Sequence, residues 1–73
     1  MNYETNDLAL AAYLLIRGFA LKDAFVSKSG IYVFRFNDVN GKIPQVAIEF
    51  INSDCARFDA QIKNLKKILR NKP

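Results

Sequence analysis

The sequence predicts a small α+β domain in which a β-hairpin packs on three helices, in the order α-β-β-α-α. Three observations predict it. A Leu/Ala-rich segment is closed by Gly18, two strand-like runs flank Ser27-Lys28-Ser29-Gly30, and the C-terminal apolar residues recur at helical spacing. At 73 residues the chain makes one domain, 1–73, near the smallest size at which an unaided core offsets chain entropy. A hydrophobic content of 51% is ample for that core and argues against disorder.

The first helix is expected from about Asn6 to Arg17. Thr5, Asn6 and Asp7 offer capping side chains, and Gly18 stands where a left-handed terminator belongs. Its apolar residues make no single stripe. Leu8, Ala11, Ala12 and Leu15 face one way, while Leu10 and Leu14 face nearly opposite. Such a helix is either central to the core or meets a second subunit with its far side.

Phe19–Val26 alternates loosely as a strand, and Ile31–Asn37 alternates clearly, with Tyr32, Phe34 and Phe36 on one face. Those aromatics could stack single-stranded bases on an exposed sheet, but the favoured reading is a core face covered by helices. The segment Ile43–Asn52 fits two templates. As a strand it groups Val46, Ile48 and Phe50. As a helix it groups Ile43, Val46, Ala47, Phe50 and Ile51, and Pro44 suits the first turn. The helix accounts for more positions and is preferred; the strand would give the order α-β-β-β-α. That alternative order resembles a double-stranded-RNA-binding domain, whose lysine cluster at the start of the last helix is replaced here by Ser53-Asp54-Cys55-Ala56.

The last helix is expected from Ser53-Asp54 to about Arg70, with an inward apolar stripe of Cys55, Phe58, Ile62, Leu65 and Leu69. Nearly all the excess charge sits here. Residues 55–73 carry six basic side chains (Arg57, Lys63, Lys66, Lys67, Arg70, Lys72) and one acid, Asp59, for +5. Residues 1–54 carry five basic and six acidic side chains, or −1, which completes the net +4. Lys63, Lys66, Lys67 and Arg70 share an arc about 100° wide on an ideal helical wheel. They also oppose the helix dipole favourably, so a solvated face is the bland alternative to a binding one.

Other chemistries are poorly supplied. The single thiol, Cys55, excludes an intrachain disulfide and fits a reducing compartment. It has no histidine to act as its base, and is expected to be a small buried residue. Asp23, Asp38, Glu49, Asp54 and Asp59 are scattered without metal-loop or paired-carboxylate spacing, and Asp38 and Asp54 read as a turn and a cap residue. No catalytic residue, cofactor, metal site or small-molecule substrate is expected. The start, MNYETND, lacks a basic signal-peptide region, and the apolar run Leu8–Ile16 is too short to span a bilayer. A cytoplasmic protein with no membrane partner is expected.

The pieces YETNDLALAAYLLIRGF, IYVFRFND and RFDAQIKNLKKIL, in that order, resemble a family of short uncharacterised proteins of bacteriophages and prokaryotic genomes. Members show a capped LAAYL-type helix ending in Gly-aromatic, a VYFVFED-type strand, and a closing helix with a phenylalanine and a basic run. Those features fall here on Thr5–Phe19, Tyr32–Asp38 and Phe58–Leu69. The resemblance implies a helical stretch before the last helix and a viral or mobile-element setting, hence the host cytosol. A small extra strand found in many members before the final helix is missing. It implies no activity.

The expected function is therefore non-enzymatic binding. The basic arc Lys63/Lys66/Lys67/Arg70 would engage nucleic acid, nucleic-acid machinery or an acidic protein surface. The alternative is a protein-only module, a homodimer or small subunit of a larger assembly, with the first helix supplying the interface.

Overall fold

The structure is a computed structural model and describes residues 1–71. Lys72, one of the basic residues counted above, and Pro73 lie outside the described residues. The order is β1 (Asn2–Thr5), α1 (Leu8–Ile16), β2 (Leu21–Val26), β3 (Tyr32–Asn37), α2 (Ile43–Ile51) and α3 (Asp54–Arg70). The α+β class and the helix preferred for Ile43–Asn52 hold, the helix ending at Ile51, and the strand reading of that segment is overturned.

The order differs from expectation by one element, the N-terminal strand β1. It pairs antiparallel with β3, from Asn2 opposite Asn37 to Thr5 opposite Phe34, so the sheet runs β1-β3-β2. β2 pairs with the other edge of β3, with a register shift between Leu21 and Asp23, and begins two residues later than expected. Across the sheet, Arg35 on β3 pairs with Glu4 on β1 at 3.1 Å and Asp23 on β2 at 3.3 Å. Its guanidinium also lies 4.8 Å from the Phe25 ring centroid. One cation thus ties all three strands.

Local chemistry sets the helix ends. The Asp7 carboxylate accepts from Ala9 N and Leu10 N, at 3.0 and 3.2 Å, and starts α1. At the other end Gly18 adopts φ 95°. Phe19 N then donates to Leu14 O and Gly18 N to Leu15 O, a Schellman closure that turns the chain into β2. Ser53 Oγ accepts from Ala56 N and caps α3, so Asp54 is a first-turn acid and not the cap.

Asp38 has a larger role than the turn residue expected of it. It is buried, and its carboxylate accepts from Ile43 N at 3.2 Å, at the otherwise uncapped start of α2. Asp38→Ala is expected to destabilise the domain by about 1–2 kcal/mol, the usual cost of losing a cap, read as a lowered urea midpoint.

Seven apolar residues form the core: Leu10, Ala11 and Leu14 of α1, Phe36 of β3, and Ile43, Val46 and Phe50 of α2. Ala11 therefore joins Leu10 and Leu14, against the expected grouping with Leu8, and α1 is covered on one side only. Ile51, expected in the α2 stripe, is exposed. On the sheet, Phe36 is fully buried and Phe34 half-buried, whereas Tyr32 near the hairpin tip is exposed. The core face is real but ends before the tip.

The largest correction concerns α3. None of its residues is buried. Phe58 is 70% exposed, Leu65 60% and Leu69 66%, and Cys55 is exposed as well. The stripe does not point into the core; only Ala56 packs against it. A helix of 17 residues is about 25 Å long, more than this small core can cover. The radius of gyration is accordingly 14.1 Å, against about 11 Å for a compact chain of this length.

Candidate functional site

The uncovered apolar surface gathers where α1 and α3 run side by side. Because the core takes only Leu10, Ala11 and Leu14 from α1, the helix leaves Leu8, Leu15 and Ile16 in solvent. Leu8, Ala12, Tyr13 and Ile16 line one wall of an open groove of about 580 Å³, and Cys55, Phe58 and Ile62 line the other. Asp54 and Asp59 stand on the α3 wall. The groove is thus apolar, with two carboxylates on its rim that pair with Arg57 and Lys63. Scattered exposed leucines are ordinary in small proteins, but a contiguous patch spanning two helices marks a binding surface.

Tyr13 holds the α1 side in place. Its ring packs on Phe50 with centroids 5.4 Å apart, and its hydroxyl donates to Glu49 Oε2 at 3.1 Å. Arg17 bonds the same Tyr13 hydroxyl at 3.3 Å and pairs with Glu49. Glu49, one of the scattered acids, therefore links α2 to α1.

The start of α1 lies beside Asp59 and Lys63, which line a smaller pocket with Asn6, Asp7, Leu8 and Ala9. From Asn64 to Arg70 every residue of α3 is exposed. This last stretch carries Leu65, Ile68 and Leu69 together with Lys66, Lys67 and Arg70.

The structure sorts the four predicted site residues into two kinds. Lys63 bonds Asp59 at 3.0 Å, and that carboxylate holds its ammonium above the ordinary lysine value of 10.5. It is partly masked. Lys66, Lys67 and Arg70 are exposed and have no acidic partner among the described residues. Arg57 pairs with Asp54 one helical turn away. Lys28 sits in the β2–β3 turn, and Lys42 stands at the start of α2 beside Arg17 and Glu49.

Sequence reasoning found the basic arc and missed the groove. Its one usable signal was the all-round apolar character of α1, which left a second side in need of cover. Among the described residues, no cluster of His, Cys, Asp and Glu could hold a metal ion, and no helix is long and apolar enough to cross a membrane.

Comparison with known proteins gives a family and nothing finer. A family model described as "Domain of unknown function (DUF5659)" matches residues 1–71. No curated protein and no solved structure matches the chain.

Proposed function

This chain belongs to the DUF5659 family, and we propose that it is a non-enzymatic interaction module that binds a helical protein partner along the face shared by α1 and α3. The observation that carries this reading is the exposure of the α3 stripe. Phe58, Leu65 and Leu69 are each at least 60% exposed on a helix whose spacing is amphipathic. Leaving such side chains in water forgoes roughly 1–2 kcal/mol apiece, the exposed share of what full burial returns. A partner helix laid in the groove recovers that energy, in the manner of other helix-in-groove complexes. The viral or mobile-element setting and the cytosolic compartment implied by the sequence resemblance belong to this proposal.

Native co-purification tests it. The parent chain is expected to bring down a protein, either another copy or a different chain, in defined stoichiometry. Phe58→Asp, with unchanged circular dichroism, is expected to lose it. Equal recovery by both chains would overturn the reading.

A second reading, nucleic-acid binding, is favoured by the α3 cations Lys66, Lys67 and Arg70, which have no acidic partner among the described residues. If they contact phosphates, retention on generic duplex should fall with salt with a log–log slope of about −3 at most. Reversing the three charges should abolish retention without unfolding the domain. Retention unchanged by the reversal, or absent in the parent, removes this reading.

A further inference from the structure

We infer that the occupant of the α1–α3 groove is a second copy of this chain, with the two α3 helices packed antiparallel. The inference rests on the interaction reading above and names its partner.

The first argument is periodicity. Cys55, Phe58, Ile62, Leu65 and Leu69 are separated by three, four, three and four residues, the seam of a helix that pairs with another helix. A core-facing helix carries a broader stripe, and here none of the seam is buried by the rest of the fold.

The second argument is charge. The acids of α3, Asp54 and Asp59, lie in its first half on the rim of the groove. Lys66, Lys67 and Arg70, without an acidic partner among the described residues, lie in its second half beside Leu65, Ile68 and Leu69. The exposed end of α3 is therefore apolar and basic, whereas the groove is apolar and its two rim carboxylates are balanced by Arg57 and Lys63, so the first half of α3 is the less positive one. Each matches the other on the same molecule. A two-fold axis uses both matches at once, because an isologous contact made by residue i to residue j is repeated from j to i.

Centring the pair between Lys63 and Asn64 sets Ile62 against the second copy's Leu65, and Phe58 against the second copy's Leu69. Asp59 then flanks the second copy's Lys66, twice per dimer. A carboxylate has room for that ammonium as well as for Lys63 of its own helix. Parallel packing would instead set the two basic halves side by side.

The third argument is area. Leu8 and Ile16 of the groove and Phe58, Ile62, Leu65, Ile68 and Leu69 of α3 are all between 36% and 77% exposed. At roughly 150 Å² per large side chain they offer on the order of 700 Å² per copy. A standard interface takes about 800 Å² from each partner.

Sedimentation or light scattering from micromolar to near-millimolar protein, at physiological salt, tests the inference. The parent is expected to move from the 8.3 kDa chain mass toward twice that value. Leu65→Glu should weaken association roughly 100-fold or more, because two charges enter each seam. Lys66→Asp and Asp59→Lys should each weaken it, and the double variant Asp59→Lys/Lys66→Asp should restore it. Mild oxidation reports orientation, since a parallel seam would place two Cys55 thiols side by side. A dimer that resists cross-linking supports the antiparallel pair, and a disulfide-linked dimer overturns it. A dimer indifferent to Leu65→Glu also overturns it. A monomeric parent whose native co-purification still depends on Phe58 overturns self-pairing and leaves the interaction reading intact. A monomeric parent without that dependence removes both.

Discussion

Phe36→Ala is expected to leave the chain unfolded or barely folded at room temperature, seen as loss of the cooperative transition in far-ultraviolet circular dichroism. Phe36 is fully buried at the centre of the sheet, opposite Tyr3 of β1 and Leu21 of β2. It is the one fully buried side chain that the sheet gives to a core otherwise built from α1 and α2. Truncating such a phenylalanine costs about 3–5 kcal/mol in transfer and cavity energy. A domain of this length holds only about 4–11 kcal/mol in total. Phe58→Ala supplies the internal contrast. Phe58 is 70% exposed, and its loss should move the monomer's stability by no more than about 0.5 kcal/mol. Two phenylalanines on one small chain should thus differ severalfold, and equal effects would mean that the core is wrongly placed.

That contrast also marks where sequence reasoning succeeds and where it stops. The helix at Ile43–Ile51 was legible because Ile43, Val46 and Phe50 recur with the helical period and Pro44 tolerates a first turn. The turn at Ser27–Gly30 and the closing role of Gly18 were legible because both need glycine conformations. Strand β1 was not. Asn-Tyr-Glu-Thr has one large apolar residue and no run to announce it. Its extended state comes from pairing with β3, Asn2 with Asn37 and Thr5 with Phe34, which no local period encodes. Asp38 reads from sequence as a turn residue because a carboxylate that caps a helix five positions later has no short-range signature.

The basic arc was legible as a feature of one helix, yet its partial masking by Asp59 was recognised only from the pair itself. The α3 stripe is the instructive failure. Periodicity shows that one face of a helix is apolar, but it does not say what covers that face. The core is closed by seven residues from three other elements, and among the described residues α1 only partly shields the first half of the stripe.

The second large effect follows from this. Leu65→Glu places a charge in the exposed seam of α3, and its consequence depends on whether the seam is core or contact. At high protein concentration the variant should lose the added stability that pairing confers. In dilute solution it should match the parent, since Leu65 is already 60% exposed in the single chain. The decisive measurement is the urea unfolding midpoint of the parent and of Leu65→Glu, each followed across protein concentration. For the parent the stability should climb by about 1.4 kcal/mol per mole of dimer for each tenfold rise in concentration once pairs form. The variant's midpoint should stay flat, and the two curves should converge on dilution. A flat parent, with Leu65→Glu lower by a constant amount at every concentration, would instead identify Leu65 as a core residue and contradict the binding face.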